Sequence, residues 1–481
     1  MSARSANARS EAGGPVRVLC TLALLAGCVA SSAAQEPPPA DEASERALTW
    51  RAGLEWITAV RGIDPADTPL NPGNATFRVP QLVGVTEVRP NLRLEAGSRL
   101  QLVFRPRWRG TIESSWVDGA DRRDRAEGTA NVTELYVSWR VTDTVAVAYG
   151  LQNFQWGPAE LLSPSNRIFH EVGLFRDPLY YVRGRHLARV NVSAGRQWSL
   201  VALAEVGATS EEAFRAGEHF ERAGQVKAEF TTSSGESYVG VTAGGRKHET
   251  PWFGEYASAT LVAGLSIYID ASHQSGSLAW YPVAELGLGP GARGLDAGPA
   301  EAGHDGSPGL TAITRGPEPG ARSPNARFAQ IDVGSDRLRT LAIGGLRYAF
   351  VNGVDARVEY LHQDAGYDRS ELELAPVALA SQGTREAVDQ WLKPGLEFLG
   401  RRLALASIRV PDLAPAKRLD LQVRYLASLT DDSGVAFATT SIEAGDALVL
   451  FASVTATHGS VTAEFSRLVR ASVVGGAVWS W

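Results

Sequence analysis

Sulfur is nearly absent from this sequence. Cys20 and Cys28 are the only cysteines and Met1 the only methionine. Both cysteines lie in an N-terminal leader, so after an ordinary cut the mature chain would carry neither. That excludes disulfides, thiolate metal sites and a cysteine nucleophile, and it excludes an adaptable Met-rich surface. Long apolar runs are missing too: beyond the leader none approaches the ~20 residues of a membrane-spanning helix. Net charge is only −6 over 481 residues, so there is no general attraction to nucleic acid. The eight histidines show no close metal-ligand spacing, and no G-x-S-x-G elbow, H-E-x-x-H pair or phosphate loop occurs. We therefore expect no enzyme activity, no cofactor, no metal and no nucleic-acid partner.

The leader itself is informative. Arg4, Arg9 and Arg17 precede the apolar run "VLCTLALLAGCVA", and small residues follow in "SSAAQ". This reads as a secretory signal over residues 1–34. An ordinary cut falls before Gln35, and "LAGC" offers the alternative of a lipoprotein cut at Cys28. Residues 35–46, "QEPPPADEASER", read as a periplasmic linker.

From residue 47 to 481 the dominant pattern is period-two alternation. In "LTWRAGLEWITAV", Leu48, Trp50, Ala52, Leu54, Trp56 and Val60 share one face, and Arg51 and Glu55 the other. Eighteen such segments are expected, at 47–61, 83–96, 99–111, 130–141, 144–154, 185–194, 197–206, 220–231, 236–244, 254–263, 266–274, 338–350, 353–363, 400–410, 417–428, 434–443, 446–456 and 471–481, with sixteen as the alternative count. Their connections alternate between tight turns ("GS", "TD", "AGR", "VN") and long segments, 429–433 being the short exception. Alternating short and long links, with an even number of strands, mark an up-and-down transmembrane β-barrel with short periplasmic turns and long outer loops. In lipid every backbone polar group must be paired, so the sheet must close. The last strand, "VVGGAVWSW", is then expected to zip against residues 47–61. Aromatics gather near strand ends. Trp50, Trp139, Trp198, Tyr238, Tyr268, Phe350, Trp479 and Trp481 fall toward the periplasmic side, and Trp56, Trp108, Tyr256 and Tyr360 toward the outer side. That placement suits interfacial girdles.

A chain that alternates to a terminal aromatic resembles the Gram-negative outer-membrane barrels, porins included. The resemblance implies a cell outer-membrane location and outer-membrane lipid around the barrel. It also implies that Trp479 and Trp481 serve as the signal read by the barrel assembly machinery. The segment "GLQNFQWGPAELLSPSNR" is sharper. Its Trp156, Gly157, Pro158, Leu162, Ser163, Asn166 and Arg167 resemble a motif of the capsule-assembly and alginate-export outer-membrane families. That likeness implies polysaccharide as an alternative cargo.

The inward face is expected to carry Arg51, Glu55, Arg89, Arg93, Glu95, Arg105, Arg107, Glu134, Arg140, Arg189, Lys227, Glu229, Arg347, Asp355, Arg357, Glu359, Asp420 and Arg424, eleven basic and seven acidic side chains with a net +4. Two readings stand side by side: an anion-preferring aqueous pore, or a ladder of cross-strand ion pairs. Segment 155–184 is apolar and aromatic for a loop, and we expect it to fold inward and narrow the pore, with a cap over the loops as the alternative. Residues 282–324, in which Gly and Pro supply 17 of 43 positions, read as a mobile outer loop. Within 368–399 one short helix is expected in "TREAVDQWLKPGLEF", with Val388, Trp391 and Leu392 on one face. The expected function is a channel for passive diffusion of small polar or anionic solutes, with a surface-polysaccharide assembly or export barrel as the alternative.

Overall fold

A computed structural model describes residues 48–117, 121–169, 177–182, 184–208, 220–285, 325–383, 385–392, 395–413 and 418–481. The expected signal sequence 1–34, the linker 35–46 and all but the first residues of 282–324 lie outside them.

Alternation becomes strand along the chain in this order: β1 (Leu48–Pro65), β2 (Leu82–Ala96), β3 (Leu100–Val117), β4 (Asp121–Arg140), β5 (Val145–Gln152), β6 (Arg185–Ala194), β7 (Trp198–Gly207), β8 (Ala223–Thr231), β9 (Tyr238–Arg246), β10 (Trp252–Val262) and β11 (Leu265–Ser275). A short pair, β12 (Tyr281–Glu285) and β13 (Asn325–Ala329), interrupts the series. It resumes with β14 (Leu338–Ala349), β15 (Asp355–Gln363), β16 (Arg402–Leu413), β17 (Leu419–Ser428), β18 (Ser433–Glu443), β19 (Leu448–His458) and β20 (Val469–Ser480). All but β12 and β13 form one eighteen-stranded antiparallel sheet in which each strand pairs with the next. The sheet closes where β20 meets β1. The protein is a transmembrane up-and-down β-barrel.

Closure runs to the last residue. Ser480 lies opposite Glu55 and Trp479 opposite Trp56. Trp481 and Leu54 exchange two backbone hydrogen bonds of 3.0 Å. This register corrects one expectation. Trp56 is not an outer-girdle residue: its ring centroid is 5.3 Å from that of Trp479, so the two sit together at the seam.

The outward face is a band of exposed apolar side chains, including Trp50, Leu94, Val137, Trp139, Val241, Ile267, Leu346, Val358 and Val473. In water such a surface would be an aggregation liability; in hydrocarbon it is solvated. Three expected girdle residues depart from this face. Tyr256 and Tyr268 are buried inside the barrel, and Tyr238 packs beside Tyr256 with ring centroids 6.0 Å apart. Each shares strand parity with an inward neighbour, Tyr268 with Asp270 for example.

Above the barrel, β12 and β13 pack with two helices, α1 (Arg369–Gln382) and α2 (Arg385–Leu392). One short helix had been expected; α2 is that helix, and α1 is additional. Asp368 starts α1 with a capping box: its carboxylate accepts from the Glu371 amide while Glu371 accepts from the Asp368 amide. Gly383 ends it in the left-handed region, at φ 58°. Trp391 of α2 is buried among Leu70, Ala326, Phe328, Ala375 and Ala378, so these outer segments share a small core of their own. Residues 282–285, expected within the mobile loop, belong to β12.

Candidate functional site in the barrel lumen

Between β5 and β6 the described residues 155–169 and 177–182 leave the wall and lie inside the barrel, as expected of them within segment 155–184. Two buried carboxylates on the opposite wall hold it. Glu359 on β15 accepts hydrogen bonds from the Glu160 amide (2.6 Å), the Leu161 amide (2.8 Å) and the Tyr268 hydroxyl (2.6 Å). Asp270 on β11 accepts from the Ser165 amide at 2.7 Å, and its other oxygen lies 2.8 Å from Ser163 Oγ. The Ser165 carbonyl in turn accepts from Gln225 Nε2 (2.6 Å) and Thr242 Oγ1 (3.1 Å). Charge-assisted bonds of this kind are about twice as strong as neutral ones, and here they satisfy backbone groups that a loop inside a barrel would otherwise leave unpaired.

Apolar contacts anchor the same segment on three sectors of the wall. Leu161 and Leu162 pack with Ile343, Leu361, Leu403, Leu405 and Leu426. Trp156, Ile168 and Phe169 pack with Leu187, Val201, Leu203 and Tyr256. Leu179 packs with Ile57, Ala59, Phe451 and Val474. Each such side chain contributes roughly 1.5–3 kcal/mol when fully buried. Residues 156–169 and Leu179 are therefore fixed against separate sectors of the wall.

The "WGP" residues have structural positions in this arrangement. Gly157 has φ +102°, and a side chain there would overlap Ser163 Oγ and the Asp270 carboxylate. Ser163 Oγ also lies 2.7 Å from the Trp156 carbonyl. Asn166 bridges the Phe154 carbonyl and the Phe169 amide. Pro158 offers its carbonyl to Arg357 at 3.4 Å. Replacing Gly157 with valine should therefore dislodge the segment. The strained backbone alone costs on the order of 1–3 kcal/mol, and the side chain displaces the Asp270 anchor as well. Single-channel records of the variant should be noisier than wild type at the same salt.

The expected lumen charges mostly meet partners. Arg93 pairs with Glu95 (2.6 Å), Arg105 with Glu134 (3.1 Å) and Arg347 with Asp355 (2.5 Å). Asp420 takes Arg409 at 2.5 Å. Arg424 reaches Glu160 at 2.6 Å, and Arg357 lies 3.4 Å from Glu160 and 3.5 Å from Glu359. Arg189 stacks 4.3 Å over the ring of Phe154. Arg51 and Arg140 are exposed, without ion pairs among the described residues. Pairing thus leaves less free charge than a sum of +4 suggests, and some partners, such as Glu87 and Arg409, lie outside the expected set.

One cluster stays lopsided. Glu87 on β2 is fully buried and receives Arg89, Arg107 and Arg109 together, the last at 2.7 Å. Arg107 also lies 3.3 Å over the ring of Tyr181, and Arg109 donates to the Leu179 carbonyl at 3.2 Å. Nearby, Arg61 pairs with Asp177 at 3.3 Å. The inner segment thus ends against a basic stretch of wall on β1–β3. Glu87 and Asp270 were not singled out in the sequence. Their signal was available in strand parity: Asp270 alternates with Ile267 and Ile269 in "SIYID", and Glu87 precedes Arg89 on the same face.

No protein family and no curated protein matches this sequence. Among solved structures, OccAB1 of Acinetobacter baumannii aligns over 91% of this chain and 99% of its own, with 10% identity and a TM-score of 0.48. OccK5 (OpdH) of Pseudomonas aeruginosa aligns over 90% and 98%, with 8% identity and a TM-score of 0.48. The outer membrane protein OprD from Pseudomonas aeruginosa aligns over 89% and 94%, with 8% identity and a TM-score of 0.46. No site residue is carried over from them.

Proposed function

We propose that this chain is an outer-membrane channel for passive diffusion of small polar solutes, narrowed by the inward segment and biased toward anions. The observation that carries the reading is the combination of a lipid-suited outer face, a polar charged interior and a segment braced across the bore by Asp270 and Glu359. A plain structural barrel has no need of two buried carboxylates on one wall to hold a loop inside it. The anion bias rests on the three arginines that share Glu87, since fixed charge at a constriction favours counter-ions. In this reading residues 1–34 direct export, outer-membrane lipid surrounds the band, and Trp479 and Trp481 are recognised by the barrel assembly machinery. The polysaccharide alternative is not favoured, because most of the residues that suggested it, Trp156, Gly157, Leu162, Ser163 and Asn166 among them, brace the inner segment.

Reversal potential across a salt gradient tests the bias. Wild type is expected to pass chloride in preference to potassium, and Arg89→Gln with Arg109→Gln should move the reversal potential toward zero. A cation-preferring wild type, or an unmoved potential in the double variant, would contradict it.

A further inference from the structure

The lipid-facing wall carries a charged feature that neither the lumen nor the closure of the barrel uses. Arg222 and Lys247 stand side by side at the outer ends of β8 and β9, where the Lys247 amide donates to the Arg222 carbonyl at 3.0 Å. Strand parity turns both side chains outward. Val226 and Val241, which share their faces, are more than half exposed, whereas Gln225 and Thr242 beside them are buried. Both cations are exposed, and among the described residues neither side chain has an ion pair or a hydrogen bond. The neighbouring carboxylates are placed elsewhere. Glu221 shares the inward parity of the buried Ala223. Glu249 lines the outer mouth and is met by Arg246 at 3.5 Å. Glu255, lower on β10, is met by His273 at 2.9 Å.

Below this pair the same wall is grooved. Leu200, Val226 and Val241 stand beside the shorter Ala202, Ala228 and Ala243, and the hollow between them measures about 420 Å³. Ala204, Gly224 and Gly245, paired in one row across β7, β8 and β9, carry the hollow up to the cations. Arg222 is four residues above Val226, about 13 Å along a strand. A groove in hydrocarbon has no hydrophobic preference of its own, because lipid tails are as apolar as its walls. Selection falls to the headgroup level, where unmatched cations favour an anionic lipid. We propose that this wall is a site for one phosphorylated lipid of the outer leaflet. Its phosphate lies between Arg222 and Lys247, and one acyl chain descends over Gly224 and Gly245 into the groove. The planar fork of Arg222 suits two phosphate oxygens, and the Lys247 ammonium adds a point charge. The site depends on the transmembrane fold and not on the channel reading.

Native mass spectrometry of the folded full-length barrel in detergent measures the binding, with dioleoyl phosphatidic acid, dioleoylglycerol and inorganic phosphate as probes. Phosphatidic acid is expected to bind. Dioleoylglycerol has the chains without the phosphate, and inorganic phosphate has the charge without the chains, so each should bind at least about tenfold more weakly. Arg222→Gln combined with Lys247→Gln should weaken phosphatidic acid by about tenfold or more, in keeping with the attraction of two basic residues to an anionic lipid. A side chain at Gly224 would meet only the Leu203 carbonyl, at 3.7 Å, so leucine fits there and fills the hollow. Gly224→Leu should therefore weaken phosphatidic acid while both cations stay in place. Arg196→Gln, in the turn at the other end of β6 and β7, removes a charge far from the groove and should leave the affinity unchanged. Heat-modifiable migration in gels establishes that each variant is folded. Should the double variant not fold, Lys247→Gln alone is measured in its place and should also bind more weakly. Absence of phosphatidic acid binding, equal binding of either control probe, wild-type affinity in the folded cation variant or in Gly224→Leu, or an equal loss in Arg196→Gln would overturn the proposal.

Discussion

Replacing Glu359 with alanine is expected to release the inner segment while leaving the barrel standing. The substitution strips the acceptor from two backbone amides and the Tyr268 hydroxyl, and it leaves Arg357 without one of its carboxylates. Removing one member of a buried charged group costs about 3–5 kcal/mol, enough to undo a local structure without unfolding a closed ladder of strands. The β14–β15–β16 pairing does not depend on this side chain, because its bonds are backbone bonds. Three readouts should move together. Mean single-channel conductance rises, the trace flickers among several levels, and protease cuts within 160–180 in a barrel that still migrates as folded. Glu359→Gln keeps one acceptor oxygen and should fall between. A variant with wild-type conductance and full protease resistance would show that the apolar anchors, Leu161 and Leu162 above all, hold the segment unaided.

The second large effect is at the other end of the chain. Truncation before Trp479 removes the paired residues Trp479 and Ser480 and the two hydrogen bonds between Trp481 and Leu54. Backbone groups of β1 then face hydrocarbon without partners, at several kcal/mol each. The folded, heat-modifiable form should be lost or reduced by about an order of magnitude or more, in keeping with that cost. Trp481→Ala is the informative companion. It keeps the backbone pairing and should refold in detergent much as wild type does. If the terminal aromatic is read by the assembly machinery, the same variant should reach the outer membrane of cells poorly. Equal surface levels of Trp481→Ala and wild type would remove the recognition role and leave closure as the only duty of that strand.

Much of the architecture was legible because one physical rule repeats in every strand. A side-chain period of two, set against lipid on one side, writes the barrel into the sequence eighteen times, and the strand count and terminal closure followed from it. Face was read less reliably than strand. Tyr256 and Tyr268 were placed in a membrane girdle by their nearness to strand ends. Parity would have turned both inward, where they donate to Glu229 and Glu359. The inner segment was visible from its excess of apolar residues, but its anchors were not. Asp270 and Glu359 lie more than 90 positions from the segment they hold, and no local pattern links residues so far apart. Helix α1 was hidden by Pro376 in its middle, although its start signal, Asp368 with Glu371, stood in the sequence. Lumen charge was legible only in part, for a different reason. Composition counts charges, whereas a lumen is governed by those left unpaired, and pairing depends on register between strands.

The most direct test of the central claim, that a segment braced across an aqueous bore sets its width, is planar-bilayer conductance of the refolded wild type beside a variant lacking residues 160–180. The account predicts stepwise openings for wild type and larger steps for the deletion. A folded wild-type barrel that never conducts, or a folded deletion variant with steps no larger than wild type, would contradict it.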